Sequence, residues 1–257
     1  MSRRTTLALA VVTLGAALAA CSPSREGPST MTATTPPAAA QQESEQPSEP
    51  PTSAPAPSNG ECAYTPTGQQ AAKPVEVPAQ PTSRTGTAAV TLQTNNGPIG
   101  LTLDLAAAPC TANSFVHLAR SKFYDGSPCH RLVASETFRI LQCGDPTGQG
   151  NGGPGYNIPD ELPTTLAPAP SGGASVYPRG VIAMANTGQP NSGGSQFFLV
   201  FGDTFLPPDY TIFGTIDQGG LAVLDTIGAA GDDGSLDGGP GGGAPALATT
   251  ITAAVAS

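Results

Sequence analysis

The chain has 257 residues, enough for one large domain with extensions, and carries a net charge of −9 from ten Lys plus Arg and nineteen Asp plus Glu. That balance excludes a nucleic-acid partner, which needs a basic footprint, and disfavours electrostatic binding to anionic lipid. Aromatic residues make up only 5%, while Gly (32) and Pro (28) abound, with much of the Pro before residue 85 and much of the Gly after residue 140.

Residues 1–20 begin with Arg3 and Arg4, then run apolar from Leu7 to Ala20 and end in small residues. This is the pattern of a secretory signal peptide, too short for a comfortable membrane span. The exit, Leu18-Ala19-Ala20-Cys21, resembles the bacterial lipobox, so Cys21 is the expected lipidation site. Acyl chains contribute about 0.8 kcal/mol per buried methylene, and two or three hold a domain at a membrane surface. Residues 21–87, rich in Pro, Ser and Ala, read as a disordered tether that cannot bury enough apolar surface to offset its ordering entropy. Cys62 and Tyr64 interrupt it, which allows the part from about Gly60 to pack on the domain. Residues 88–257 form the folded domain. The expected location is extracytoplasmic, lipid-anchored to the cell membrane.

Four further cysteines, Cys62, Cys110, Cys129 and Cys143, form an even set, which in an exported protein reads as two disulfides with three pairings open. There is no Cys-x-x-Cys pair, and His117 and His130 lack ligand spacing, so no metal is expected.

In the domain, Thr87 to Thr94 meets the hairpin signal Asn95-Asn96-Gly97, and Ile99 to Leu105 alternates apolar with polar as a half-buried strand. Pro109-Cys110-Thr111 opens a helix with Thr111 as candidate cap and a Phe115, Leu118, Ala119 stripe. Cys129 to Val133 and Ile140 to Cys143 read as strands. Residues 148–155 hold five Gly in eight positions, but no Lys-Ser/Thr and no helix follow, so a P-loop is excluded. Residues 156–178 read as irregular. The central stretch, Gly180 to Phe201, pairs two apolar strands through a polar, Gly-rich loop, which suits a groove for an extended peptide. A strand over Thr211 to Ile216, a short helix from Gly220 to Ile227 and a last strand from Leu247 to Val255 follow. About eight strands and two helices are expected: a mainly β, closed, eight-stranded antiparallel barrel capped by two helices.

His130 and Arg131 are adjacent on a strand and point to opposite faces. Arg131 is one of few cations here. Placed near Gln142, Asn186 and Phe198, it suits a peptide carbonyl or amide. His130-Arg131, Gln142-Cys143-Gly144-Asp145, Met184-Ala185-Asn186, Gly194-Ser195-Gln196-Phe197-Phe198 and Phe213-Gly214 resemble the cyclophilins in order and approximate spacing. The resemblance covers about two thirds of the chain, from Ala88 onward, and the layout is similar to actinobacterial lipoprotein members.

The resemblance implies a cyclophilin-like barrel and peptidyl-prolyl cis-trans isomerase activity without a cofactor. It implies Arg131 as the catalytic arginine, with Gln142 and Asn186 gripping the peptide and the Asn backbone holding substrate. It implies Ile140, Ala185 and Phe198 as walls of the proline pocket, Leu206 as its Leu, and Gln196 as a groove residue. Phe205 stands where animal cytosolic members have Trp and Tyr210 where they have His, while Gly150 falls beside the groove. The chain departs from the family at Ala134 to Phe138, which is longer, and at Arg139, which stands where a pocket Phe is usual. Either Phe138 substitutes through a register shift or the pocket lacks a ring. The expected partners are proline-containing peptides and exported proteins, engaged by a monomer. The alternative is a non-catalytic peptide-binding chaperone lipoprotein at the cell surface.

Overall fold

The structure, a computed structural model, describes residues 61–170 and 172–257. The signal sequence, Cys21 and the tether up to residue 60 lie outside the described residues. Along the chain run β1 (Thr65–Pro66), β2 (Thr87–Thr94), β3 (Gly97–Asp104), α1 (Pro109–Arg120), β4 (Ser127–Pro128), β5 (Arg131–Ala134), β6 (Arg139–Cys143), β7 (Tyr156–Asn157), β8 (Ser175–Tyr177), β9 (Val181–Met184), β10 (Phe197–Gly202), β11 (Thr204–Leu206), β12 (Ile212–Ile216), α2 (Gln218–Ala230) and β13 (Thr250–Ala256). The segment expected to be irregular, 156–178, contains β7 and β8, which pair with β1 and β11.

Nine strands form one curled antiparallel sheet in the order β4-β13-β2-β3-β12-β9-β10-β6-β5. The expected closed eight-stranded barrel is corrected by this topology, because the edge strands β4 and β5 do not pair. They are consecutive in the chain, separated only by Cys129 and His130. The reason lies at the two edges. The outer edge of β5 is occupied by a loop: Leu132 N–H donates to Gly243 O at 2.8 Å and Gly243 N–H donates to Leu132 O at 3.0 Å. Gly242 makes this approach possible, since its φ is +71° and a Cβ there would overlap the Leu132 carbonyl. The other edge, β4, is two residues long and ends in Pro128, which has no N–H to donate.

The period of two sorts the side chains. Leu132, Leu141, Cys143, Ile182, Met184, Phe197, Leu199 and Phe201 join the main core with Phe115 and Leu118 of α1 and Leu221, Leu224 and Ile227 of α2. Their neighbours Val133, Ile140, Val181, Ala183, Phe198 and Val200 face the other way and form a second cluster with Tyr177. That second cluster is the floor of the site.

The caps of the two helices differ in origin. Asp217 caps α2, accepting from Gly220 N–H at 2.6 Å. Thr111 does not cap α1 as expected; it lies inside the helix, and Ala108 at the N-cap position supplies no side-chain bond. Instead Glu161 reaches across from 50 residues away. Its carboxylate accepts from Cys110 N–H at 2.9 Å and from Thr111 N–H and Oγ1 at 2.8 Å. A carboxylate at this terminus satisfies orphan donors and meets the positive end of the helix dipole.

The segment from Glu61 to Gly86 is not a free tether. The Cys62–Cys110 disulfide ties it to α1, and β1 pairs with β7. Tyr64 stacks edge-on against Tyr156 at 5.8 Å and donates its hydroxyl to Cys110 O at 2.9 Å. The second disulfide joins Cys129 to Cys143.

Glu161→Ala removes a cap without touching the sheet. It should destabilise the protein by about 1–2 kcal/mol in chemical denaturation. An unchanged midpoint would mean that water replaces the carboxylate without loss.

Candidate functional site

Strand register puts the key residues in one row. Arg131 on β5 is opposite Gln142 on β6, Gln142 is opposite Phe198 on β10, and Phe198 is opposite Ala183 on β9. Paired strands lie about 4.8 Å apart, so Arg131 and Phe198 are about 10 Å apart along the row. A proline ring with its flanking amides spans a gap of that order.

The Arg131 head group is fixed by acceptors rather than by an acid. Its Nε–H donates to Gly241 O at 3.0 Å, Nη1 donates to Gln142 Oε1 at 3.2 Å, and Nη2 donates to Pro240 O. A guanidinium has five N–H groups, so two remain for a ligand. An ion pair forms elsewhere, between Arg179 and Asp225 at 2.7 Å. Burial lowers the Arg131 pKa, and nearby Tyr210 raises it, but an arginine stays cationic at any physiological pH. The site therefore holds a half-buried positive charge whose hydrogen-bond partners among the described residues are all neutral.

From Arg131 a chain of hydrogen bonds runs across the row. Gln142 Nε2 donates to Gln196 Oε1 at 3.0 Å, and Gln196 Nε2 donates to Gly152 O at 3.1 Å. Asp145 then anchors the Gly-rich loop from below. Its carboxylate accepts from Thr147 N–H at 2.7 Å, Asn151 N–H at 3.1 Å and Gly152 N–H at 3.0 Å. Burial alone would raise the Asp145 pKa, yet these donors hold it below its ordinary value.

Beside the row lies the apolar patch. Ile140 and Phe198 are buried, and Phe138, Ala185, Leu206 and Tyr210 pack against them. Tyr210 stands edge-on to Phe198 with ring centroids 5.4 Å apart. Tyr177, which the sequence offered no reason to single out, is fully buried beneath both rings. Its hydroxyl donates to Pro207 O at 3.2 Å and accepts from Tyr210 N–H at 3.1 Å. The question left by Arg139 is answered by alternation. Arg139 lies on the face of β6 opposite Ile140 and bonds Ser135 O at 3.1 Å. Phe138 lies on the Ile140 side, and the Arg131 guanidinium sits 5.3 Å from its ring centroid.

A groove of about 810 Å³ continues from the patch. Gln142, Gly150, Ala185, Asn186 and Gln196 all line it. The Asn186 side chain is used internally, donating to Asp209 O at 2.8 Å and accepting from Gly188 N–H at 2.9 Å. Gly150 approaches His130 so closely that a Cβ would lie 3.3 Å from the imidazole ring. Phe205 is the one expected site residue not brought in. It alternates with Leu206 on β11, is half-exposed, and is absent from the apolar cluster; its N–H donates to Thr137 O at 2.9 Å.

A curled β-sheet with an arginine beside an apolar patch and a neutral polar groove has the layout of a peptide-binding site. Residues 89–251 match the family described as "Cyclophilin type peptidyl-prolyl cis-trans isomerase/CLD", and the chain belongs to it. A Mycobacterium tuberculosis protein named "Probable peptidyl-prolyl cis-trans isomerase B" is 47% identical over 196 residues, covering 74% of this chain and 62% of that one. The chain thus spans less than two thirds of these mycobacterial relatives. A Helicobacter pylori peptidyl-prolyl cis-trans isomerase is 41% identical over 143 residues, covering 55% of this chain and 80% of that one. A crystal structure of a cyclophilin type isomerase from Cryptosporidium parvum aligns with TM-score 0.52 and 26% identity, covering 67% of this chain and 98% of that one. A second crystal structure of that protein, in the presence of the dipeptide Ala-Pro, aligns with TM-score 0.50 and 27% identity, covering 65% of this chain and 97% of that one.

His130 gives the site a pH signature. Burial lowers its pKa below 6.5; Asp145 pulls it up and Arg131 pushes it down. Between the lowered value and 6.5 the unfolded chain binds more protons than the folded one, so stability rises with pH and is lost as pH falls through that window. Asp145 adds a further loss as pH falls below 3.8. Denaturation at pH 7, 6 and 5 should show declining stability, and His130→Gln should flatten the slope. Equal slopes for both proteins would remove His130 as the cause.

Proposed function

We propose that the protein catalyses cis–trans isomerisation of X-Pro bonds in exported polypeptides, with Arg131 as the catalytic residue. An amide rotates over a barrier of about 18–20 kcal/mol because the nitrogen lone pair is delocalised. For X-Pro the two isomers are close in energy, and uncatalysed exchange takes about tens to hundreds of seconds. No bond breaks, so no nucleophile is required. At the twisted geometry the prolyl nitrogen becomes pyramidal and its lone pair can accept a hydrogen bond. Arg131, held by three acceptors with two N–H groups left, is preorganised to donate it. Ile140, Phe198, Leu206 and Phe138 grip the ring, while Gln142 and the Asn186 backbone hold the chain on one side, so that the other side turns. Because the bond forms only when the nitrogen pyramidalises, it stabilises the transition state over either ground state.

The observation that carries this reading is the guanidinium, held by neutral partners, in one sheet row with Phe198. The Cryptosporidium relative described with the dipeptide Ala-Pro supports a prolyl ligand for this fold. Phe138, packed against the second cluster, supports a ring in the pocket despite Arg139, which favours the isomerase over a non-catalytic peptide binder.

Arg131→Ala should lower kcat/KM by about 10²–10³ in a prolyl-peptide exchange assay, the magnitude typical of losing one preorganised donor. Arg131→Lys should not restore it, since an ammonium cannot meet three fixed acceptors in one plane. A folded Arg131→Ala protein with full turnover would overturn the assignment, and a wild type that binds but does not turn over prolyl peptides would favour the chaperone reading.

We further propose export and lipid anchoring through Cys21. The leader pattern supports it, and two disulfides fit an oxidising compartment. Among the described residues no helix is long and apolar enough to cross a membrane. Intact mass of the mature protein should show loss of residues 1–20 and added acyl mass on Cys21; a chain retaining its leader, or beginning elsewhere without acyl groups, would refute this.

A further inference from the structure

The family match begins at residue 89, yet part of the groove wall is built by residues that precede it. Thr67, Gln69, Gln70 and Ala72 line the groove on the side facing the Gly-rich loop. They are not a passing strand end. Thr67 N–H donates to Gly155 O at 3.0 Å and Ala72 N–H donates to Gly153 O at 2.9 Å, so the segment is laced to that loop at two points. The lacing is backed by the Cys62–Cys110 disulfide on one side and by Lys73, whose ammonium donates to Asp125 O, on the other.

The loop is correspondingly trimmed. Gly155 has φ +83°, and a Cβ there would lie 3.3 Å from Gln69 O. A Cβ on Gly152 would overlap the Asp145 carboxylate and lie 3.2 Å from the Ala72 methyl. The loop is thus pressed between Asp145 and this strap, with no room for a side chain at Gly152 and a tight, left-handed backbone at Gly155.

We propose that this strap is a specificity wall: Gln69 and Gln70 select neutral polar side chains in the part of the substrate peptide that extends from the proline into the groove. The inference rests on the isomerase reading of the same site. The chemistry of the lining carries it. The residues around the groove are amides, hydroxyls, glycines and a few small apolar groups, and none carries a charge. A charged side chain would meet no opposite charge among the residues that line it. A large apolar one would strip water from amides that it cannot pair. Asn, Gln, Ser or Thr can exchange hydrogen bonds with Gln69 and Gln70, whose amides each donate and accept. Both glutamines are exposed, so their side chains are available to a ligand.

The test uses full-length protein and peptides that keep one X-Pro bond and place Asn, Asp, Lys or Leu two and three residues to either side of it. Both kcat/KM and Kd, the latter by NMR titration, are measured. For wild type, Asn peptides should exceed Asp and Lys peptides by about threefold to tenfold on one side of the proline, the range of one net hydrogen bond. Gln69→Ala with Gln70→Ala should erase that ratio. Gln69→Glu with Gln70→Glu should turn preference toward Lys and away from Asp by a similar factor. Both pairs change exposed side chains, so folding is retained. The same ratios in wild type and both variants would overturn the wall. A wild type without turnover would remove the isomerase reading alone, because the Kd ratios still report on the strap.

Discussion

Everything in the site depends on how Arg131 is held. A guanidinium has only donors, so its bond to Gln142 forces the Gln142 carbonyl toward it and the amide group away. That orientation makes Gln142 a donor to Gln196, and Gln196 in turn a donor to the Gly152 carbonyl. One cation sets the direction of two side-chain amides and reaches the Gly-rich loop. A half-buried polar network is stable only when each member is satisfied. Here the chain ends on Asp145, whose carboxylate gathers backbone N–H groups that the loop would otherwise leave unpaired.

The same residue explains the open sheet edge. Pro240 and Gly241 hold Arg131 through their carbonyls, and Gly243 pairs with Leu132, the next residue on β5. The loop that aims the guanidinium is therefore the loop that occupies the outer edge of β5. Closing the barrel through that edge would displace the groups that hold the cation. Edge coverage and positioning of Arg131 are one feature of the fold.

Legibility followed sequence distance. The strands over 87–94 and 211–216 and the strand pair around the 186–195 loop were readable, because alternation and turn residues act within a few positions. Arg131, Gln142, Ile140, Phe198, Leu206 and Tyr210 were given as a set by the resemblance to the cyclophilins, and the structure brings them together. Phe205 was not separable from Leu206 by sequence, since only the pairing of β11 with β8 decides which of the two faces the cluster. The Glu161 cap could not be seen, since its partner lies 50 residues away. Cys62 and Tyr64 marked the part from about Gly60 as able to pack on the domain, but its place on the groove could not be read, because its order comes from a disulfide and from bonds to the Gly-rich loop, not from apolar periodicity.

By itself the sequence determined the period-two alternation that gives each strand an inner and an outer face, and the motif set that resembles a prolyl isomerase family. Only the tertiary structure decided which face of β6 receives Phe138 and which receives Arg139, which cysteines join, that the sheet stays open, and that residues before the family domain complete the groove. The division has a physical cause. Alternation and turn chemistry are local properties of a chain, whereas register, disulfide pairing and edge coverage are settled by contacts between residues far apart in sequence, whose loop-closure cost no local pattern encodes.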